Sequence, residues 1–89
     1  MLEKEIEIIN KLGLHARAAA RLVKLASGFD CEIDIQKGNQ RVNAKSIMGV
    51  MMLAAGRGNI VTIFTEGNEE TPAMDAVEKL FNDKFGEPE

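Results

Sequence analysis

Residues 31–44 read CEIDIQKGNQRVNA, an alternation of apolar and polar residues that is broken by a turn. Ile33 and Ile35 fall on one face of a strand, because successive side chains of a strand point to opposite sides. Gly38-Asn39 supplies residues that adopt the positive φ values of a tight hairpin, and residues 41–44 return as the next strand. The segment therefore predicts a β-hairpin with one apolar face.

Two more strands are predicted, one on each side of this hairpin in the chain. Residues 2–9 alternate, with Leu2, Ile6 and Ile8 on one face and glutamates on the other. Residues 59–65 are apolar on both faces, which is typical of a strand inside a sheet. We therefore expect this last strand to have neighbours on both sides.

Three helical segments lie between and after the strands. Residues 16–27 are rich in Ala and Leu and stop at Gly28, and residues 46–53 begin at Ser46 as an N-cap. The last helix begins at Thr71-Pro72, a cap followed by proline at the first helical position. Its apolar stripe is Ala73, Ala76, Val77, Leu80 and Phe81. The order β-α-β-β-α-β-α predicts an α/β (α+β) open-faced sandwich, a four-stranded antiparallel sheet covered on one face by three helices.

The composition fits one small globular domain that spans residues 1–89. Hydrophobic residues make up 45% and charged residues 28%, the net charge is −3, and Trp and Tyr are absent, so nucleic acid is disfavoured. No apolar run approaches the roughly 20 residues of a membrane span, and the N-terminus does not resemble a signal peptide. The single cysteine, Cys31, favours a reducing cytoplasm. Residues 86–89 are predicted to be a short frayed tail.

The only histidine, His15, falls where the first strand's loop turns into the first helix. A helix N-terminus presents unpaired N–H groups and partial positive charge, which favour an anion. Arg17 lies within one turn of the imidazole and can fork onto phosphate oxygens, and Gly13 lets the backbone approach closely. A neutral imidazole in this setting is a candidate nucleophile, and the same groups would stabilise a phosphoryl oxyanion. The alternative is a capping or solvent-exposed histidine with no role.

Other site chemistries lack support in the sequence. There is no second His, no Cys or carboxylate cluster at ligand spacing and no phosphate-loop glycine pattern, so neither a metal nor a cofactor is predicted. Arg21 and Lys24 continue the cationic row of the first helix, which in the simplest interpretation is a solvated surface.

The segment 46–53 has too many apolar residues for one buried stripe. Val50 and Leu53 are predicted to be core residues, and part of the remainder is expected to stay exposed as an adaptable docking patch. With the basic row it would form an apolar centre with a cationic rim, suited to small and transient encounters. The predicted partner-docking residues are Ala20, Arg21, Lys24, Ile47, Met48 and Met51.

Two motifs, NKLGLHAR at 10–17 and KSIMGV at 45–50, closely resemble the histidine-containing phosphocarrier (HPr) family of the bacterial phosphotransferase system. The resemblance covers essentially the whole chain. It implies that His15 accepts a phosphoryl group on Nδ1 from phosphorylated enzyme I and passes it to a histidine on the A domain or subunit of an enzyme II sugar transporter. It also implies that Arg17 stabilises the phosphate and that Ser46 is the regulatory site of an ATP-dependent kinase/phosphorylase. The family usually has proline where this chain has Ala18, so we expect a slightly softer first helical turn.

The sequence thus predicts a monomeric, stoichiometric phosphoryl carrier rather than an enzyme with turnover of its own. Within that class, a nitrogen-regulatory relative of the sugar-transport carrier is the alternative. A regulatory α/β module without covalent chemistry would explain the fold but not the placement of His15, Arg17 and Ser46. A phosphatase or mutase has less support, because no carboxylate or second acid/base lies near His15 in the sequence.

Overall fold

Four strands form one antiparallel sheet in the computed structural model, which describes residues 1–89. The strands are β1 (Leu2–Glu7), β2 (Glu32–Lys37), β3 (Gln40–Asn43) and β4 (Ile60–Glu66). Their order in the sheet is β1-β4-β2-β3, so β4 pairs on both edges and lies inside the sheet. This confirms the prediction made for the apolar run at 59–65.

Three helices cover the apolar face of the sheet: α1 (Ala16–Ser27), α2 (Ile47–Met52) and α3 (Glu70–Asn82). Alternate strand residues such as Ile33, Ile35 and Ile63 are fully buried in one core with Leu22 of α1 and Val77 of α3. The predicted open-faced α+β sandwich is confirmed. The longest helix, α3, has 13 residues, and no helix has the length and apolar character needed to cross a bilayer.

The opposite face of the sheet is open to solvent, although β4 carries apolar residues on both sides. Ile60 is exposed and Phe64 is half-buried on this outer face. The Arg41 guanidinium lies 3.8 Å from the centre of the Phe64 ring and donates to Asp34 at 2.9 Å. The Arg41 guanidinium, held over the Phe64 ring by a cation–π interaction, therefore shields the ring from water although no helix covers this face.

The hairpin turn differs in one detail from its prediction. Lys37 and Gln40 pair across a two-residue loop, and only Gly38 has a positive φ, at 59°. A two-residue loop with glycine at its first central position is the pattern of a II′ turn, in which the second residue keeps negative φ. Asn39 therefore does not need the left-handed conformation that was predicted for both residues.

The predicted start of the last helix is wrong by two positions. Helix α3 begins at Glu70, and Glu69 occupies the N-cap without a side-chain hydrogen bond. Thr71 is thus inside the first turn, and Pro72 is the third helical residue rather than the first. Proline is tolerated there because the N–H groups of the first turn have no partner within the helix. Met74 is buried on the apolar stripe, whereas Ala76 is only half-buried.

The C-terminal residues do not fray as predicted. A 3₁₀ turn spans Lys84–Gly86, and its Phe85 is 99% buried with its ring centre 4.8 Å from that of Phe81. Lys84 and Phe85 both have φ of 56°, a conformation that costs a non-glycine residue about 1–2 kcal/mol. Burial of an aromatic ring contributes about 1.5–3 kcal/mol and offsets much of this strain. The turn directs the last residues back across the start of α1.

Candidate functional site

His15 is the N-cap residue of α1, at the loop-to-helix junction where the sequence placed it. Its backbone is extended, with φ −73° and ψ 178°, and its side chain makes no capping hydrogen bond. The first helical bond runs from the Ala19 N–H to the His15 carbonyl oxygen at 2.8 Å. The N–H groups of residues 16–18 therefore have no partner within the helix, and together with the positive end of the helix dipole they can bind an anion.

The loop before His15 is pressed against the turn that follows α2. A Cβ on Gly13 would lie 2.7 Å from the Ala55 carbonyl oxygen, and Gly13 has φ of +67°. The Leu14 N–H donates to the same carbonyl oxygen at 2.9 Å. Any other residue at position 13 would be both strained and in collision with backbone. This close approach places His15 beside the C-terminal end of α2.

The C-terminal segment brings to His15 a carboxylate that the sequence did not predict. Glu87 Oε2 contacts His15 Nε2, although the two residues are 72 positions apart. The buried Asn10 side chain donates through Nδ2 to the other oxygen of Glu87 and to the Gly13 carbonyl oxygen, both at 2.9 Å. The Glu87 side chain is only 8% exposed. The Nε2 end of the imidazole is thus occupied, while no hydrogen bond within the chain engages Nδ1.

Competing effects set the charge state of Glu87. Burial raises its pKa, but hydrogen bonds from Asn10 and His15, together with the nearby positive charge of Arg21, outweigh burial and hold the pKa below its ordinary value. A carboxyl group with a depressed pKa adds stability above its unfolded pKa and loses it as the pH falls through the folded value. At neutral pH Glu87 is therefore a carboxylate, which only accepts hydrogen bonds.

The three cations predicted to form a row on α1 lie in different environments. Arg17 is exposed and borders a cavity of about 260 Å³ that Glu87 also lines. Arg21 donates to the Phe85 carbonyl oxygen and so holds the C-terminal segment in place. Lys24 is exposed in the last turn of α1. Arg17 is therefore the cation best placed to reach a group on His15, whereas Arg21 has a structural contact that the sequence did not reveal.

An apolar patch lies on the exposed side of α2 and on the loop before His15. We define the patch by its exposed members Leu12, Ile47, Met48, Met51 and Met52. Met48 is 70% exposed, whereas Val50 and Leu53 are buried as predicted. Ala20 of α1 is also exposed. The sequence identified three members of the patch but not Met52 or Leu12, and the place of Leu12 in a loop has no periodic pattern to indicate exposure.

Ser46 sits at the N-terminus of α2, beside this patch. The Gly49 N–H donates to Ser46 Oγ at 3.2 Å, so the predicted N-cap is confirmed. Ser46 itself is exposed, and the next two residues, Ile47 and Met48, belong to the apolar patch. A group attached to Ser46 Oγ would therefore alter the edge of the patch.

The ionisable groups around His15 do not form a metal centre. No three His, Cys, Asp or Glu side chains come together closely enough to hold a metal ion. The site instead combines one imidazole, the Glu87 carboxylate, the Arg17 guanidinium and the free N–H groups of residues 16–18. A nucleophile beside donors for oxyanions is an arrangement that can take up and hold a phosphoryl group.

Residues 2–83 match the family model described as PTS HPr component phosphorylation site. The chain belongs to the HPr family. Among its relatives, phosphocarrier protein HPr of Cupriavidus necator is 53% identical over 89 residues, 100% of both chains. That of Neisseria meningitidis serogroup A is 52% identical, again over 100% of both. The crystal structure of HPr from Thermoanaerobacter tengcongensis superposes with a TM-score of 0.96 at 49% identity and covers 100% of both chains.

Membership in the HPr family confirms the predicted function of the protein as a whole, without assigning roles to single residues. It is a phosphocarrier of the phosphotransferase system, and its partners are enzymes of that system. A dimeric HPr from Thermoanaerobacter tengcongensis is also similar, with a TM-score of 0.79 and 50% identity over 98% of this chain and 100% of that one. The monomeric state stays a prediction.

Proposed function

We propose that His15 is the phosphoryl acceptor of this carrier. It receives the group on Nδ1 from phosphorylated enzyme I and passes it to a histidine on the A domain or subunit of an enzyme II sugar transporter. The observation that carries the proposal is the position of the imidazole at the start of α1, where residues 16–18 leave their N–H groups without helical partners. Such groups bind phosphate oxygens readily.

The transfer needs little beyond positioning and charge. The Nδ1 lone pair forms a bond to phosphorus while the donor's bond to phosphorus breaks, and that bond's electron pair stays with the donor. The free N–H groups and Arg17 then stabilise oxygens that already carry negative charge. Onward transfer reverses these steps and restores His15. The protein is therefore a stoichiometric carrier and has no net reaction of its own.

The direct test is phosphorylation in a defined mixture. We expect phosphoenolpyruvate and enzyme I to add one phosphoryl group per chain, since His15 is the only histidine. The bond should be labile to acid and stable to base, as a phosphoramidate is. Enzyme I and its nitrogen-regulatory paralogue are compared side by side, because preference for the paralogue would assign the chain to the nitrogen branch. No incorporation from either donor would overturn the proposal.

Arg17→Lys tests the role of the guanidinium. Lysine keeps the charge but loses the planar fork that binds two phosphate oxygens. Hydrogen bonds to charged groups are worth about 1.5–3 kcal/mol, so loss of one predicts phosphoryl transfer roughly tenfold slower or more. Binding to enzyme I should weaken only modestly. Rapid-quench transfer assays check the rate, with Arg41→Lys on the outer face of the sheet as the matched control. An unchanged rate would reduce Arg17 to general surface electrostatics.

The docking surface proposed for the partner enzymes consists of the apolar patch and the adjacent α1 residues Ala20, Arg21 and Lys24. The patch and His15 lie at the same end of the molecule, because Gly13 is packed against Ala55 just after α2. One copy of the chain contains the whole site, which supports a monomer as the working state. Cys31 is a free thiol, which suits a reducing cytoplasm.

We propose further that Ser46 is a regulatory phosphorylation site of an ATP-dependent kinase/phosphorylase. A phosphoserine there carries a charge of about −1.5 to −2 and lies at the start of α2, where free N–H groups tolerate it. The same charge lies against Ile47 and Met48 of the apolar patch. An approaching partner would have to desolvate it, so the effect falls on binding rather than on folding.

Ser46→Asp imitates this charge, and we expect a stable protein that accepts phosphoryl groups poorly. Aspartate is as good an N-cap as serine, so the melting temperature should be equal or slightly higher. Like-charge contact at an interface costs several kcal/mol, and a loss of about 1.4 kcal/mol already weakens association with enzyme I tenfold. Melting curves and transfer time courses check both parts. Ser46→Asn, an uncharged cap, is the control, and wild-type kinetics for Ser46→Asp would contradict the regulatory role.

A further inference from the structure

The carboxylate of Glu87 and the imidazole of His15 form a pair that the chain holds from several sides. Phe85 anchors the C-terminal segment in the core, and the Arg21 guanidinium donates to the Phe85 carbonyl oxygen. Beyond Glu87, the Lys11 N–H donates to the Glu89 carbonyl oxygen at 3.0 Å. The segment is thus attached both before and after Glu87, the residue that contacts His15. The contact between Glu87 and His15 is therefore fixed by the tertiary structure around it.

Asn10 determines which oxygen of Glu87 serves His15. The Asn10 side chain is fully buried, and its Nδ2 donates both to the Gly13 carbonyl oxygen and to Glu87 Oε1. Because a carbonyl oxygen only accepts, the bond to Gly13 fixes Nδ2 as the atom on that side. Glu87 must therefore present an acceptor to Asn10, and its second oxygen is left for His15 Nε2.

We infer that Glu87 is a positioning residue for phosphoryl transfer: its carboxylate binds the Nε2–H of His15, so that the ring proton stays on Nε2 and Nδ1 keeps the lone pair that attacks phosphorus. A carboxylate has no proton to give, and a neutral imidazole has one N–H and one lone pair, so the partner of one nitrogen decides the state of the other. The inference deepens the proposed function and rests on His15 as the acceptor.

The contact between Glu87 and His15 also stabilises the positive charge that phosphoryl transfer creates on the ring. When Nδ1 bonds to phosphorus and the donor keeps the electron pair of its broken bond, the proton on Nε2 remains on the ring. The phosphorylated ring then carries a positive charge that faces the Glu87 carboxylate. A carboxylate also orients an imidazole and stabilises its cation in the Ser-His-Asp triad, but there the imidazole is a general base, whereas here it is the nucleophile. The lowered pKa of Glu87 is consistent with a carboxylate that stays ionised in this position.

Glu87→Gln gives a sharp test, because glutamine has the size of glutamate but only one acceptor. Asn10 Nδ2 requires that acceptor, so the amide NH₂ turns toward His15 Nε2. Nε2 must then accept, and the ring proton moves to Nδ1, where it blocks the attacking lone pair. Glu87→Ala leaves neither an acceptor nor a donor opposite Nε2, so we expect a mixture of the two tautomers. Transfer from enzyme I should therefore be fastest in the wild type, intermediate in Glu87→Ala, and slowest in Glu87→Gln, by tenfold or more.

A purely structural role predicts the opposite order, since the isosteric glutamine would disturb packing less than alanine. Nitrogen-15 NMR of the His15 ring, recorded along a pH series up to the plateau of the spectra at high pH, reads the tautomer without any phosphoryl transfer. We expect Nε2–H in the wild type and Nδ1–H in Glu87→Gln. Glu89→Gln, in the same segment but exposed, is the control and should match the wild type. Nε2–H in both proteins, or a glutamine variant faster than the alanine variant, would overturn the inference even if His15 is confirmed as the acceptor.

Discussion

His15→Ala is expected to abolish phosphoryl acceptance from enzyme I completely. The imidazole is the only nucleophile at the start of α1, and the remaining groups, Arg17 and the free N–H groups of residues 16–18, can bind a phosphate but cannot form a bond to phosphorus. No second histidine is present to substitute for it. Mass spectrometry after incubation with phosphoenolpyruvate and enzyme I should show no added mass under conditions that fully phosphorylate the wild type.

The fold of this variant should survive, which separates loss of chemistry from loss of structure. The change leaves Glu87 with Asn10 as its remaining partner, and a buried group that loses one hydrogen bond costs about 1–3 kcal/mol. That is a modest part of the 5–15 kcal/mol typical of small domains. Circular dichroism and a melting curve check this, with Lys79→Ala at an exposed position of α3 as a control for both assays. Acceptance at the wild-type rate by His15→Ala would contradict the central proposal.

Much of the architecture could be predicted because the elements are encoded locally. The alternation of Ile33 and Ile35 with polar residues, and the glycine at position 38, specify a hairpin from neighbouring residues alone. The same holds for the beginning of the site, since His15 and Arg17 lie within one helical turn. Periodicity and capping depend on residues a few positions apart, so one sequence suffices to recognise them.

The other half of the site could not be predicted, because it arises only from the tertiary fold. Glu87 meets His15 across 72 positions, and it lies in a segment whose glycine, proline and charged residues are typical of a frayed terminus. The informative residue was Phe85, which follows Phe81 by four positions and continues the apolar stripe of α3 beyond the helix. Nothing local indicated that Lys84 and Phe85 would adopt left-handed conformations and reverse the chain.

Phe85→Ala is therefore expected to have the largest effect on stability of any change near the site. Its ring is 1% exposed and packs on Phe81, and truncation of a buried phenylalanine costs about 3–5 kcal/mol through lost burial and the cavity left behind. Denaturant unfolding followed by circular dichroism measures the loss. Met52→Ala, at an exposed helical position, is the control and should change the free energy of unfolding by less than about 0.5 kcal/mol.

Phe85→Ala should also change the tautomer of His15, because Phe85 anchors the segment that carries Glu87. A chain that ends at Gly86 makes the necessary comparison: it keeps Phe85 in the core but lacks Glu87 and the Glu89 carbonyl oxygen. This shortened chain should lose only about 1–3 kcal/mol, the cost of a few hydrogen bonds, while showing the mixed tautomers expected of Glu87→Ala. If Phe85→Ala were no less stable than the shortened chain, the ring would not be the anchor, and the left-handed turn at Lys84–Gly86 would need another source of stabilisation.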